Sequence, residues 1–209
     1  MARPGLYSRY IVPRVINCLC AIPEIAAERA KVVPQAEGVV LEVGIGSGLN
    51  MAHYDRAKVQ RVIGVDPGVE ICALGRARFA GAGMPVELIH ASGEDLPLDD
   101  RCVDTVLLTY TLCSIPDAFA AATEMRRVLR PGGRLLLCEH GRSKDVGVAR
   151  WQNRINPLWR RLAGGCNVNR DAAAILEGAG FRFEQLENFY LPGAPKFAGF
   201  HYRGVARPF

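Results

Sequence analysis

The sequence predicts an α/β fold, a doubly wound and mostly parallel sheet, on three observations. Strand-like apolar runs alternate with helix-like segments between residues 39 and 138. These runs are almost wholly Val, Ile and Leu, which is typical of strands covered by helices on both faces. The chain has 209 residues, of which 49% are hydrophobic and 22% charged. We therefore expect a single domain over residues 1–209 with its own core.

Residues 1–37 precede the first strand and are predicted to form an N-terminal helical lid. Within them Leu6–Ala27 is apolar, but Arg9, Pro13 and Arg14 interrupt it before it reaches the roughly 18 residues of a membrane span. An amphipathic helix of this kind can still lie on a membrane surface. We expect a cytoplasmic protein and leave peripheral contact with the inner face of a membrane open.

Two repeats of strand, tight loop and helix follow the lid. The first is the apolar run Val39–Val43, a glycine-rich turn and the helix-like stretch Leu49–Ala57. The second is Val62–Val65, which ends at Asp66-Pro67-Gly68, and Val69–Ala80 as its crossover helix. The repetition predicts parallel neighbouring strands.

Three more apolar runs extend the predicted sheet. They are Val86–Ile89, Val103–Leu108 and Leu135–Cys138, with Ala118–Leu129 predicted as the helix between the last two. Because strands that alternate with helices lie parallel, these elements complete a Rossmann-like sheet.

The C-terminal third departs from this rhythm. Residues 142–169 hold both tryptophans and are predicted to be an insertion near a substrate site. Asp171–Glu177 resumes a helix. Phe181–Tyr190 and Phe197–Ala206, joined by a Pro192-Gly193 turn, are predicted to close the sheet as an antiparallel hairpin.

The net charge and the cysteines indicate which binding partners and which cellular compartment to expect. The net charge is +5, from 26 Lys and Arg against 21 Asp and Glu, and residues 124–170 are distinctly basic. A basic stretch of this kind is usually an exposed face in contact with solvent. The alternative is that it binds an anionic lipid or an acidic substrate. It lacks the basic and aromatic modules of nucleic-acid binders, so no nucleic-acid partner is expected. The seven cysteines form no C-x-x-C pair, which favours a reduced compartment and disfavours a zinc site.

A glycine-rich loop follows the first predicted strand and is paired with an acidic residue. Glycines at 44, 46 and 48 permit close approach of the backbone to a ligand. Asp66 ends the second strand, where a carboxylate can accept hydrogen bonds from both hydroxyls of a ribose. The G-x-G-x-G spacing makes a dinucleotide the weaker interpretation, so the pair indicates an adenosine-type ligand. The alternative is an ordinary glycine turn with an Asp that caps the next helix.

Several ordered motifs resemble the class I S-adenosylmethionine-dependent methyltransferases, a group that includes ubiquinone, menaquinone and phospholipid methyltransferases. They are LEVGIGSG at 41–48, VIGVDPG at 62–68, GEDLPL at 93–98, CVDTVLL at 102–108 and LRPGGRLLL at 129–137. The resemblance implies S-adenosyl-L-methionine as cofactor and S-adenosyl-L-homocysteine as product.

The resemblance also implies roles for individual residues. The methionine part of the cofactor would contact the glycine loop and its flank, namely Glu42, Gly44, Ile45, Gly46 and Gly48. Asp66 would hold the ribose and Pro67 would pack on the adenine. Ser92 stands where the family often has an Asp that contacts the adenine amino group. Either Ser92 makes a weaker contact there, or the backbones of Gly93 and Glu94 make it instead. Thr109 and Leu112 would line the methyl-donor pocket.

A narrower resemblance covers the C-terminal half. Leu112-Cys113-Ser114, Cys138-Glu139-His140, Trp151-Gln152, Pro157-x-Trp159 and the segment 165–170 are similar to a small group whose animal members are membrane-associated alkyl-thiol S-methyltransferases. This resemblance implies methylation of a small-molecule thiol. A phospholipid amine or a quinone-type ring is the alternative acceptor. A nicotinamide-dependent oxidoreductase and a non-catalytic cofactor-binding module are the alternatives from other classes.

Candidate residues for the chemistry lie at the carboxyl edge of the predicted sheet and in the flanking segments. His140 follows the fifth strand and could act as the base, since its ordinary pKa is near 6.5; a structural histidine is the alternative. The candidate acceptor-side residues are Tyr7 and Tyr10 in the lid, Cys113 after the fourth strand, and Trp151, Trp159 and Asn167 in the insertion. We expect no metal ligand, and the oligomeric state is left open.

Overall fold

The computed structural model describes residues 11–209 and forms one seven-stranded sheet. The strands are β1 (Gly38–Val43), β2 (Val59–Val65), β3 (Val86–Ile89), β4 (Val103–Thr109), β5 (Leu129–His140), β6 (Phe181–Tyr190) and β7 (Phe200–Pro208). Their order is β3-β2-β1-β4-β5-β7-β6. Strands β1 to β5 are parallel, and β7 runs antiparallel to both β5 and β6. The predicted fold class, with its C-terminal antiparallel pair, is confirmed.

Helices cover both faces of this sheet. They are α1 (Val12–Cys20), α2 (Pro23–Val32), α3 (Val69–Ala73), α4 (Arg76–Ala80), α5 (Ala118–Val128), α6 (Val146–Leu162), α7 (Ala172–Gly178) and α8 (Lys196–Gly199), with a 3-10 turn at Val33–Gln35. Helices α1 and α2 lie in the described part of the predicted lid. No helix within residues 11–209 is both long and apolar enough to cross a membrane.

Alternation along the central strands divides the core into two layers. In β5, Leu135 and Leu137 pack with α5 and α7, whereas Leu136 and Cys138 pack on the other face with residues of α2 and α3. All four side chains are fully buried. Because successive side chains of a strand point to opposite faces, a continuous apolar run is what a strand between two helical layers requires.

Two predicted helices are wrong in detail. Leu49–Ala57 forms a run of turns, in which the amides of Met51 and His53 bond to carbonyls three residues back rather than four. Val69–Ala80 is divided into α3 and α4. The break falls at Gly75, where a Cβ atom would lie 2.5 Å from the carbonyl oxygen of Ser47. The glycine loop therefore packs directly against the site where the crossover helix is broken.

The C-terminal part of the chain contains α6, α7 and the antiparallel pair β6 and β7. Most of residues 142–169 is α6, whose N-terminus is capped by Asp145 through the amides of Gly147 and Val148. The cap of α7 is Asp171, which accepts a bond from the amide of Ala174. The connection between β6 and β7 contains the Pro192-Gly193 turn and the short helix α8.

Candidate functional site

A cavity of about 180 Å³ lies at the carboxyl ends of β1, β2 and β4. Strand β1 has β2 on one side and β4 on the other, so the cavity sits where the order of the sheet reverses, the usual ligand position in open α/β sheets. Its walls include Glu42, Gly44, Gly46, Asp66 and Thr109 from the sheet edge. The lid closes the other side with Ile16, Asn17, Cys20 and Arg29.

The glycine loop and Asp66 meet as the sequence predicts. The amide of Gly46 donates to Asp66 Oδ2 over 2.9 Å, and the amide of Gly68 donates to Oδ1 over 2.7 Å. Gly46 has a φ of 52°, and the nearest atom to a Cβ built there is 3.6 Å away, so glycine is needed for the backbone conformation and leaves room for a ligand. Burial is the main influence on Asp66 and raises its pKa, while the two amide bonds oppose the shift.

Gly44 and Gly48 are required for a different reason. Both have positive φ, of 72° and 70°. A Cβ on Gly44 would lie 2.2 Å from the side chain of Thr111, and one on Gly48 would lie 2.5 Å from the ring of Phe79. The loop is therefore packed between the segment after β4 and the helix α4, which holds its backbone against the cavity.

Glu42 belongs to a buried polar chain that crosses the floor of the cavity. Its two oxygens accept bonds from Asn50 Nδ2 over 2.9 Å and from the Tyr54 hydroxyl over 2.7 Å. Arg29 donates to Asn50 Oδ1 over 2.8 Å and to Thr109 Oγ1 over 2.7 Å. Burial raises the pKa of Glu42 to about 7, although both hydrogen bonds and the Arg29 charge favour its ionised form. These hydrogen bonds therefore hold the carboxylate of Glu42 and the guanidinium of Arg29 at the same cavity.

Arg29, Asn50 and Tyr54 are site residues that sequence reasoning missed. The Nε atom of Arg29 is buried without a protein partner, although the side chain lines the cavity. A buried donor in this position fits a carboxylate-bearing ligand, because an unmade hydrogen bond is costly. The sequence holds no motif around Arg29, since the lid reaches the sheet only through tertiary packing.

Several residues that are predicted to contact the cofactor do not line the cavity. Ser92 is engaged locally: its hydroxyl donates to Glu94 Oε2 over 2.8 Å and accepts from the Glu94 amide. Pro67 is exposed beside Asp66. Leu112 is in the core, with its amide bonded to Glu139. Of the predicted cofactor residues in the described part of the chain, Gly48, Pro67, Ser92, Gly93, Glu94 and Leu112 do not line the cavity. Their roles stay predictions.

Three of the candidate acceptor-side residues converge around His140. His140 Nε2 lies 3.2 Å from Cys166 Sγ, and the indole of Trp159 donates to the same sulfur over 3.4 Å. Asn167 Nδ2 donates to the carbonyl of Cys113 over 2.8 Å. Burial alone would lower the pKa of His140, but the contact with Cys166 and the charge of Glu139 raise it.

The remaining candidates for the acceptor side are Trp151, Tyr7 and Tyr10. Trp151 lies on the outer face of α6 and is 53% exposed. Tyr7 and Tyr10 lie outside the described residues 11–209. The end of α6 and the residues after it therefore reach His140 and Cys113, whereas the outer face of α6 does not.

Several known proteins similar to this chain are methyltransferases. Residues 41–137 match the family model described as "Methyltransferase domain". The thiol S-methyltransferase TMT1B of Homo sapiens is 32% identical over 169 residues, covering 77% of this chain and 68% of that protein. The thiol S-methyltransferase TMT1A of Homo sapiens is 30% identical over 162 residues, and the aligned region spans 76% of this chain and 66% of that protein. The demethylmenaquinone methyltransferase of Clavibacter sepedonicus is 35% identical over 115 residues, or 55% of this chain and 46% of that one.

The fold has matching solved structures. An S-adenosylmethionine-dependent methyltransferase from Thermotoga maritima superposes with a TM-score of 0.67 at 20% identity, over 97% of both chains. The glycine loop, the carboxylate after β2 and the strand order agree with this fold. The chain belongs to the S-adenosylmethionine-dependent methyltransferases, and S-adenosyl-L-methionine is its methyl donor.

Proposed function

We propose that this enzyme transfers the methyl group of S-adenosyl-L-methionine to the sulfur of a small thiol. The observation that carries the proposal is the extent of the similarity to thiol S-methyltransferases. It spans 169 residues, more than the matched domain at 41–137, and so includes segments beyond the cofactor-binding motifs. Those segments hold the residues that would determine the acceptor.

The donor end of the cavity supports a specific arrangement of residues. Asp66 keeps acceptor capacity for two ribose hydroxyls after its bonds to Gly46 and Gly68. Glu42 is placed to accept from an ammonium group, and Arg29 to pair with a carboxylate. When bound, the cofactor supplies a methyl carbon made electrophilic by its sulfonium. The residues of this chain therefore bind both ends of the amino acid part while the lid excludes water.

The acceptor step is an in-line displacement. A lone pair of the acceptor sulfur forms the new S–C bond while the bond between the methyl carbon and the sulfonium breaks, and that electron pair stays on the cofactor sulfur. The acceptor proton leaves before or during transfer. We propose that His140 assists this ionisation, since it lies at the carboxyl end of β5 beside Cys113 and Cys166.

The role of His140 is tested by His140→Ala. We expect kcat to fall at least about 10-fold at pH 7, in line with the usual range for assisted proton transfer, while affinity for S-adenosyl-L-homocysteine stays within about twofold. A cysteine-like thiol has a pKa near 8.5, so with such an acceptor the defect should shrink above pH 9, where the acceptor ionises unaided. An unchanged rate between pH 6 and 9 would remove His140 from the mechanism.

The acceptor class is tested with labelled donor. Binding of S-adenosyl-L-methionine is first measured by calorimetry. The enzyme is then supplied with alkyl thiols, phosphatidylethanolamine vesicles or demethylmenaquinone. We expect label in the thiol fraction. Label only in lipid or quinone would move the assignment to N- or C-methylation and leave the donor unchanged.

We also propose that the enzyme is cytoplasmic and touches the inner face of a membrane through α1 and α6. Trp151, Leu158 and Leu162 are exposed at seven- and four-residue spacings, which place them on one face of α6. Arg154 and Arg161 flank that face, a composition typical of helices that bind anionic lipid. The exposed residues of α1 and its ends, Ile11, Val15, Leu19 and Ile22, have the same helical spacing.

The end of α6 lies close to α1, because a Cβ on Gly164, just after α6, would contact Ile16 of α1 at 2.9 Å. Co-sedimentation with anionic vesicles at low salt tests the proposal. Neutral vesicles and the Trp151→Ser variant are the comparisons, and both should bind less. Equal binding to neutral and anionic vesicles would contradict the role of the arginines.

A further inference from the structure

Three side chains suited to a soft metal ion meet on the acceptor side of the cavity. Cys113 follows β4, His140 ends β5 and Cys166 follows α6. Their ligand atoms all lie within 4.8 Å of one another, and the closest pair is His140 Nε2 and Cys166 Sγ at 3.2 Å. Cys113 is buried, and the other two are half-buried.

We propose that Cys113, His140 and Cys166 bind one Zn²⁺ ion whose fourth position takes the acceptor thiolate. The thiolate part of this inference rests on the proposed function, whereas the metal site does not. Two thiolates and one imidazole form the donor set of catalytic zinc sites that keep an open position. With Zn–S near 2.3 Å and Zn–N near 2.0 Å, tetrahedral geometry sets the ligand atoms about 3.5–3.8 Å apart. The three atoms therefore need to move by only about 1 Å.

Hydrogen bonds already hold the three segments together. The amide and side chain of Asn167 both donate to the Cys113 carbonyl, over 2.9 and 2.8 Å. Asn156 donates to Asn167 Oδ1 over 3.0 Å, which ties α6 to the same point. Trp159 donates to Cys166 Sγ, a bond that stabilises negative charge on the sulfur. Such bonds orient ligands and are typical of the surroundings of metal sites.

An open position on this site would face the methyl donor. Ser114, next to Cys113, and Gly164, two residues before Cys166, line the same cavity as the glycine loop. Cys20 of the lid lines it as well. A sulfur ligand bound to the ion from the cavity side would therefore lie between the metal and the cofactor-binding residues.

The chemistry accounts for assisted ionisation without a separate base. A thiol that binds Zn²⁺ loses its proton to solvent, since a coordinated thiol is deprotonated outright. A lone pair of the bound sulfur then attacks the methyl carbon, and the breaking S–C bond leaves its electron pair on the cofactor sulfur. The thioether product is a weaker ligand than a thiolate and can leave. In this arrangement His140 assists the ionisation as a ligand of the ion rather than as a proton acceptor, which makes the role proposed for it above more specific.

Absorption of Co²⁺ tests the site directly. The protein is freed of metal and titrated with Co²⁺, and we expect tetrahedral bands that saturate at one equivalent. Cys113→Ser and Cys166→Ser should each weaken Co²⁺ binding at least 10-fold. Cys102→Ser is the matched control, because Cys102 lies before β4, away from the cluster, and should bind as wild type does. Unchanged binding of S-adenosyl-L-homocysteine shows that each variant is folded.

The outcomes separate the two proposals. A change of the Co²⁺ bands on addition of an alkyl thiol supports the open position. Absence of tetrahedral bands in the wild type overturns the metal site, and full thiol turnover by metal-free protein overturns the role of the ion in the reaction. Either result leaves thiol methylation standing. Metal binding that needs Cys113 and Cys166, together with methylation of lipid or quinone only, overturns the thiol acceptor and leaves the metal site.

Discussion

Asp66 is bonded to the amides of Gly46 and Gly68 through its two carboxylate oxygens, and we expect it to hold the ribose of the cofactor. Asp66→Ala removes the acceptor for the amides of Gly46 and Gly68 and for the ribose hydroxyls. Hydrogen bonds to a charged group contribute about 1.5–3 kcal/mol, so affinity for S-adenosyl-L-homocysteine should fall about 10- to 100-fold. Calorimetry measures this fall. Asp99→Ala, which removes an exposed carboxylate, is the control for charge, and equal affinities for the two variants would disprove the ribose assignment.

Glu42 makes the stability of the protein without bound cofactor depend on pH. Its pKa is raised to about 7 by burial, so the folded state holds a proton that the unfolded state releases near pH 4.5. The contribution of this proton to the free energy of unfolding is therefore fully present below about pH 4.5. It is lost as the pH rises to about 7, and the loss is roughly 3 kcal/mol in total. Burial shifts the pKa of Asp66 and Glu139 in the same direction.

The contribution of Glu42 is isolated by Glu42→Gln. Urea unfolding at pH 5 and pH 7.5 should show a clearly smaller loss of stability in the variant than in the wild type, because Gln carries no titrating proton. Bound S-adenosyl-L-homocysteine should also reduce the loss in the wild type if its ammonium group pairs with Glu42. An identical pH dependence in both proteins would contradict the raised pKa.

Individual site residues differ in how far the sequence predicts them. Glu42, Gly46 and Asp66 stand at constant offsets from strand ends, so the motifs that contain them are enough to locate them. Arg29 and Tyr54 reach Glu42 and its chain only after the lid and the turns after the glycine loop have packed on the sheet. No local pattern marks such residues, because their partners are remote in sequence.

At the scale of elements, the sequence predicts the strands better than the helices near the site. Apolar runs identify buried parallel strands without further information. Residues 49–57 have helix-like spacing, yet the spacing arises from Met51 and Tyr54, both buried, in successive turns. Asn50 is also fully buried there and bonded to Glu42, which a regular helix on the surface would not require. Periodicity reports burial and does not distinguish a helix from packed turns.

The break between α3 and α4 carries a prediction of its own. Gly75→Ala should destabilise the protein by about 1–3 kcal/mol, because the new methyl would meet the Ser47 carbonyl and must displace the glycine loop. Cofactor affinity should fall as well. Gly147→Ala, at an exposed site in the first turn of α6 where the nearest atom is a side-chain oxygen at 3.3 Å, is the matched control. Thermal unfolding compares the two, and a Gly75→Ala variant as stable as this control would refute the close packing.

At the scale of the whole molecule, the lid is held less firmly than the sheet. Most residues of the central strands are buried, whereas α1 buries none of its residues. The described lid is tied down at a few places: Glu28 pairs with Arg203 of β7, Asn17 accepts a bond from Ser47, and Arg29 reaches Thr109. Because α1 and α2 line the cavity, we expect local opening of these helices to precede cofactor binding.

Cofactor binding should therefore slow hydrogen exchange most strongly in the lid. Ile16, Asn17, Cys20 and Arg29 all line the cavity, so a bound ligand adds contacts to the segment that has few. With S-adenosyl-L-homocysteine at 100 times its Kd, openings that exclude the ligand cost about 2.7 kcal/mol more, or roughly 100-fold slower exchange. Amides of α7, on the opposite face of the sheet from α2, and of β6, at the edge of the sheet, serve as the internal reference. Exchange in α1 and α2 that stays unchanged while the ligand is bound would mean that the cofactor enters by another route, and that the lid does not control access to the site.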